Sequence, residues 1–472
     1  MSREPEKSKQ VNRRDKPNSI KSVFSDARLL GYNFLLCLLS PYILWRKFRR
    51  AHSRRTSHEF DWNRWTCIAQ PEYSHATGAH IVLFCTGAGE LRIASELTKL
   101  LRARNEQLNI TWAIRRRDVA ELARVQFPRQ SIVSMPFDFF WPCCNWISVV
   151  KPDILVGIER LWWPNLFWHA RLNHIRSIVV GATHLARIKV SFWDGISRWT
   201  LRALDLICLQ SEAEREKLAP FLPPENVRVL GALKWFEETQ NDGENNAALR
   251  AWLRNEARPL LLAGSTHEGE DEFVLRAFEA VRENSDCALL IAPRQLHRIE
   301  KIETLCRDAG WKVSRRSQAA VQAQTEYSGA EPDNKRDNEK PDVFLLDTMG
   351  ELASAYQFAR AAFVGGTVRG AGHNVLEPLA FGVPVSFGVG GEKAKPTTTQ
   401  GELMEAGLGN RVATSDELAS RWNEVLQNAN WPHEMQSRLE NFRLKQNAAW
   451  QNNVTAILEL LPNNSAKNED KN

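Results

Sequence analysis

One stretch, Ala361 to Val385 (AAFVGGTVRGAGHNVLEPLAFGVPV), restricts this chain to few folds. An apolar run ends at Gly365 and Gly366, a polar loop carries Gly370, Gly372, His373 and Asn374, and apolar spacing resumes at Leu376, Leu379 and Ala380. That order predicts strand, glycine loop and helix, the repeating unit of parallel α/β sheets. Such a junction gathers free backbone N–H groups and the positive end of a helix dipole at one point, which suits a phosphate. Glu377 would stand in the first helical turn, near the phosphate but separate from it, where a carboxylate accepts hydrogen bonds from a ribose diol. An ordinary βα turn, with Glu377 only complementing the dipole, is the competing reading.

The same rhythm runs through most of the chain. HIVLFC (80–85) reads as a buried strand, TGAGE (86–90) as a tight loop, and Leu91, Ala94, Leu97 and Leu101 share one helical face. Further strands are predicted over 110–114, 132–134, 154–158, 178–181 and 206–209. A second series opens with PLLLAGSTHEGE and continues through ALLIAPR, a helix to Cys306, a strand near Trp311 to Val313, and DVFLLDTMGEL (342–352). The polar run from Glu237 to Asn246 separates the two series. The fold class is therefore α/β, with two Rossmann-like domains at 56–230 and 231–460. The polar segment 314–340 is expected to be a mobile insertion, and the tails 1–28 and 461–472 to be disordered.

Charge is unevenly placed. Residues 1–55 hold fourteen Lys and Arg against four Asp and Glu, while the whole chain carries only +6, so the body is net acidic. That excludes a broad nucleic-acid-binding surface and points to a partner near the N-terminus. Leu29 to Trp45 is apolar but short, contains Asn33 and Pro41, and is followed by Arg46, Lys47, Arg49, Arg50, Arg54 and Arg55. Charge after the apolar run argues against a cleaved signal. Residues 29–55 are expected to anchor the chain to membrane lipids on the cytoplasmic face, as a short span or an interfacial helix. The eight cysteines show no C-x-x-C pair, so neither zinc nor a disulfide framework is expected.

Several residues sit where open α/β sheets place ligands, at the carboxyl ends of strands. Glu90 follows Gly87 and Gly89, and in a dry cleft its carboxylate could deprotonate a hydroxyl. Gly87-x-Gly89 also begins a dinucleotide fingerprint, but Arg92 occupies the third glycine position and weakens that reading. Glu159 and Arg160, before Trp162 and Trp163, follow another strand; His184 and Arg187 follow a third. Ser265 and Thr266 end the first strand of the second series, where a hydroxyl caps a helix or binds an anion. Each has a structural alternative: a capping glutamate, a core tryptophan, a satisfied histidine.

Taken together, STHEGE (265–270), APR (292–294), DTMGEL (347–352), FVGGT (363–367) and GHNVLEPLA (372–380) resemble the donor domain of the 3-deoxy-D-manno-octulosonic acid (Kdo) transferases. WPNL (163–166), GALK (231–234) and the Glu90 loop are similar to further family features, and the likeness covers roughly residues 30–430. It implies an inverting GT-B glycosyltransferase of lipopolysaccharide assembly, with two domains facing across a cleft, that uses CMP-Kdo and a lipid A precursor and needs no metal or further cofactor. Glu90 would be the base, with Glu159, Arg160, His184 and Arg187 on the acceptor side. The donor would be held by Ser265, Thr266, Arg294, the backbone of Met349 and Gly350, the Gly365-Gly366 turn, Asn374 at the phosphate and Glu377 at the ribose. Departures from the family pattern fall at Gly87, Leu161, His184 and Gln295. A related transferase with another sugar or acceptor, or a non-catalytic nucleotide-binding scaffold, are the alternative readings.

Overall fold

The structure, a computed structural model, describes residues 27–53, 78–159, 163–183, 200–220, 222–233, 243–253, 256–318, 340–368, 374–388, 390 and 398–462. Most of the polar insertion and nearly all of both tails lie outside these residues. The chain forms two compact units, Met1–Trp235 with Gln446–Asn472, and Phe236–Lys445.

The first unit is built on a seven-stranded sheet in the order β3-β2-β1-β4-β5-β6-β7. Its strands are β1 (His80–Cys85), β2 (Asn109–Ile114), β3 (Ser131–Ser134), β4 (Ile154–Ile158), β5 (Arg176–Ala182), β6 (Leu206–Leu209) and β7 (Val227–Val229), all paired in parallel. A parallel sheet covered on both faces needs apolar side chains pointing both ways, which is why β1 and β4 are buried at every position. The helix α2 (Ala88–Arg104) buries Leu91, Ala94, Leu97 and Leu101 on one side of that sheet. Val82, Phe84 and Leu155 face the other side with Trp146, Leu166 and Phe167.

The N-terminal helix α1 (Ala27–Ser53) has two apolar faces. Leu29, Tyr32 and Leu36 lie against Trp168 and Leu172 of α5 (Pro164–Leu172). Leu30, Phe34, Leu38, Tyr42 and Trp45, at helical spacing, are exposed. Among the described residues no helix is long and apolar enough to cross a membrane.

The second unit carries another parallel seven-stranded sheet, ordered β10-β11-β9-β8-β12-β13-β14. Here β8 is Leu260–Thr266, β9 Ala288–Pro293, β10 Val313–Arg315, β11 Val343–Leu345, β12 Ala359–Val364, β13 Val385–Phe387 and β14 Gly409–Arg411. Three details differ from the sequence expectation. The strand anticipated near Trp311 begins at Val313, so the polar segment is structured through its first residues. The helix anticipated after the glycine loop is a turn followed by the single 3₁₀ turn Pro378–Phe381, because Pro378 lacks an N–H and Gly382, at φ 74°, ends it. Finally, the long helix α13 (Trp431–Glu459) serves both units. Its first half adds Trp431, Met435, Leu439 and Phe442 to the second core. Its second half adds Trp450, Val454, Ala456 and Ile457 to the first, although 446–460 read as second-domain sequence.

Candidate functional site

Each sheet reverses its strand order once, and loops leaving such a reversal diverge to leave a ligand crevice. In the first unit the reversal lies between β1 and β4. Glu90 follows β1 in the first turn of α2, and Glu159 follows β4. Both carboxylates therefore rise from the same edge, flanking the reversal.

Glu90 is half-buried, and both its carboxylate oxygens turn back to Thr86. Oε1 accepts from the Thr86 hydroxyl at 2.8 Å and Oε2 from the Thr86 backbone N–H. Burial pushes the Glu90 carboxyl above its ordinary value, the Thr86 hydrogen bonds pull it back, and the negative charge of Glu159 raises it further. Glu159 itself is held at φ 57°, in the left-handed region that side chains avoid. Its N–H donates to Val180 O at 2.9 Å, and its carbonyl accepts from Thr183 N at 3.3 Å. Strain of this kind concentrates at functional positions. Arg160, His184 and Arg187 lie outside the described residues. Thr86 escaped the sequence reading; the signal available was a hydroxyl at a strand end four residues before a glutamate.

In the second unit the reversal lies between β8 and β12, and the predicted donor residues gather on the carboxyl edge around it. Ser265 is the extra residue of a β-bulge between β8 and β9 and sits at φ 56°, which re-aims its side chain at the strand end. Arg294, after β9, is exposed, and its guanidinium has no partner among the described residues. Met349 and Gly350 form an exposed loop after β11, with Gly350 at φ 87°. That loop is fixed from below by Glu351, which accepts from Thr348 Oγ1 and, at 3.0 Å, from the buried Arg316 guanidinium. Asn374 is exposed, accepts from Leu376 N at 3.1 Å, and donates to Glu377 Oε1 at 3.4 Å.

Other anticipated residues prove to be internal braces. Thr266 is fully buried and its hydroxyl donates to Asp271 Oδ1 at 2.7 Å. Gly365 N donates to Gly264 O at 2.8 Å and Gly366 N to Glu270 Oε2 at 2.6 Å, so neither amide is left for a phosphate. What the glycine at 365 provides is close approach: a Cβ there would lie 2.6 Å from Ser265 O and from Thr266 Cα. Glu270, buried at 2 % exposure, also accepts from His267 N at 2.9 Å and Val368 N at 3.1 Å. Asp271 takes the guanidinium of Arg298, whose Nη1 donates to Thr266 O at 3.0 Å. The sequence reading passed over Glu270, Asp271 and Arg298, since an acidic first helical turn is ordinarily read as dipole complement.

Comparison with known proteins bears on this geometry. Residues 53–237, which contain both carboxylates of the first unit, match the family model described as 3-deoxy-D-manno-octulosonic-acid transferase (kdotransferase). A 3-deoxy-D-manno-octulosonic acid transferase of Haemophilus influenzae is 28% identical over 322 residues, covering 65% of this chain and 70% of that protein. The Bordetella pertussis protein of the same name is 26% identical over 378 residues, covering 76% of this chain and 82% of that one. By these matches the chain is similar to the Kdo transferase family, over its first unit to the family model and over most of its length to curated members. It is accordingly a glycosyltransferase. A solved glycosyltransferase from Rickettsia africae ESF-5 superposes with a TM-score of 0.53 at 10% identity, over 83% of this chain and all of that one, a likeness of fold alone. Within the transferase, Trp163 and Asn165 of WPNL fix the start of α5, which follows Glu159 in the chain. Trp163 Nε1 donates to Pro136 O at 3.1 Å, and the fully buried Asn165 donates to Asp138 O at 2.8 Å.

Proposed function

We propose that this transferase moves Kdo from CMP-Kdo to a lipid A precursor in lipopolysaccharide core synthesis, by a single inverting displacement with Glu90 as base. The observation that carries this reading is the pair Glu90 and Glu159, set on either side of the β1/β4 reversal with the Glu90 carboxyl pushed by burial to a pKa above its ordinary value. An acceptor hydroxyl oxygen attacks the anomeric carbon, the bond to the CMP phosphate oxygen breaks, and the hydroxyl proton passes to Glu90. A raised carboxyl is a stronger base near neutrality, provided it is ionised when substrate arrives. On the donor side, Ser265, Arg294, Asn374 and the backbone of Met349 and Gly350 hold the phosphate and cytidine, and Glu377 the ribose. Thr266, Gly365 and Gly366 shape the Ser265 bulge from behind. No cofactor beyond the donor is required.

The exposed row Leu30, Phe34, Leu38, Tyr42 and Trp45, with the basic block that follows it in sequence, supports an α1 that lies along the cytoplasmic face of the inner membrane. A second reading, a family member acting on another sugar or acceptor, is favoured by Leu161 and His184, which depart from the family pattern on the acceptor side.

The test is incubation of the full chain with CMP-Kdo and a tetra-acylated lipid A precursor, followed by mass measurement of the lipid. A gain of one or more Kdo units is expected. Glu90→Gln should lower turnover by about 10²–10⁴-fold, the usual worth of a positioned base, with CMP binding retained. Full turnover in that variant removes Glu90 from the mechanism, and an unmodified lipid favours the second reading.

A further inference from the structure

On its inward side α1 carries two polar residues that reach what the WPNL segment depends on. Tyr32 OH donates to Asp138 Oδ2 at 2.7 Å, across 106 positions of sequence. Asn33 Nδ2 donates to Asn165 Oδ1 at 2.8 Å and to Leu29 O at 3.1 Å. Asp138 in turn organises the start of α5: its Oδ1 accepts from Asn165 N at 3.0 Å and Leu166 N at 3.3 Å, and its backbone carbonyl accepts from Asn165 Nδ2. Asn165 is wholly buried, so both ends of its amide must be satisfied inside the protein, and its oxygen is satisfied by Asn33. A helix that only tethered the chain to lipid would need none of this. Apolar contacts with Trp168 and Leu172 would be enough.

We infer that α1 is a positioning element for the acceptor side of the site: through Tyr32 and Asn33 it sets Asp138 and Asn165, and through them the start of α5, which follows Glu159 in the chain. Glu159 stands six positions before Asn165, in a left-handed backbone conformation that its surroundings must enforce. Because the opposite face of the same helix carries the exposed apolar row, seating α1 on lipid and setting the junction of Asp138 with Asn165 become one event. This deepens the acceptor assignment above and rests on it.

Two measurements on the full chain decide it. Tyr32→Phe removes one hydroxyl and keeps the ring packed; Asn33→Ala removes the donor to Asn165. With detergent-dispersed tetra-acylated lipid A precursor, each variant is expected to raise the acceptor KM about tenfold, the scale of one lost buried hydrogen bond to a charged or enclosed partner. The KM for CMP-Kdo should not change, a split that general destabilisation would not produce. Amide exchange at Asn165, Leu166 and Glu159 should accelerate by a similar factor in both variants, while exchange in the second unit stays at the wild-type rate. Unchanged exchange at those amides overturns the inference, as does an unchanged acceptor KM. If wild-type protein transfers no Kdo, the proposed function fails, and the exchange comparison still decides the role of α1.

Discussion

At Glu90 opposing influences act on one carboxyl. Burial and the charge of Glu159 favour the protonated form, and the two hydrogen bonds from Thr86 favour the ionised one, with burial the largest. A base must be ionised to act, so the rate should fall as pH drops through a midpoint above the ordinary glutamate range. Glu159→Gln removes one raising influence and should move that acid limb to lower pH; a limb that stays in place would show that Glu159 does not act on Glu90. Thr86→Val removes the hydroxyl bond and is expected to move the limb the other way. The pH profile of kcat/KM for the acceptor, which reports groups in the free enzyme, checks both. Asp138 is a carboxyl with a different task. Burial pushes it up to about 7 despite the donors of Tyr32, Leu166 and Asn165, which suits a carboxyl that organises backbone rather than substrate.

At the scale of elements, the second unit shows how a strand end is made into a ligand-facing edge. The β8 bulge at Ser265 is held by two carboxylates from the first turn of α8 (Glu270–Arg282). Glu270 takes three backbone N–H groups, and Asp271 takes Thr266 and Arg298. Both side chains are nearly excluded from water, so each unmet donor left behind by their removal costs about 1–3 kcal/mol. Glu270→Ala should therefore destabilise the second unit by several such increments, and weaken CMP binding although Glu270 itself need not touch the nucleotide. Gly365→Ala attacks the same junction from the other strand. Its Cβ would meet two backbone atoms and the buried, hydrogen-bonded Glu270 carboxylate, none of which is free to move aside, and overpacking of that kind costs about 1–3 kcal/mol. Thermal melting with and without CMP measures both, and a Gly365→Ala protein with the wild-type melting temperature would contradict the close-approach account.

Over the whole molecule, the chain returns to its first unit at the end. Trp450, Val454, Ala456 and Ile457 are buried with Leu83, Leu97 and Trp112, and Gly231, at φ 91°, passes so close that a Cβ would sit 2.8 Å from Ala449 Cβ. Losing one such large side chain from a core costs about 2–5 kcal/mol, and domains hold only about 5–15 kcal/mol in total. A chain ending at Lys445 should lose the folded first unit, and with it transfer, while the second unit keeps CMP binding and resists proteolysis. A truncated protein with full activity would mean that the C-terminal half of α13 is dispensable to the first core.

What the sequence determined alone is local. Parallel strands buried on both faces must be runs of Val, Ile, Leu and Phe, and HIVLFC, ILVGI and ALLIAP say so without their neighbours. Loops at strand ends must turn sharply, so Glu90, Ser265, Arg294 and Asn374 were legible as edge residues from the order of strand and glycine. The tertiary structure decided what depends on which distant surfaces meet. Gly366 gives its amide to a carboxylate 96 positions away, and Asp138 takes its shortest hydrogen bond from a helix 106 positions before it. The end of the last helix fills a core that the first strands began. Periodicity reports that a face will be buried; the partner that covers it is chosen by packing, which no spacing along the chain records.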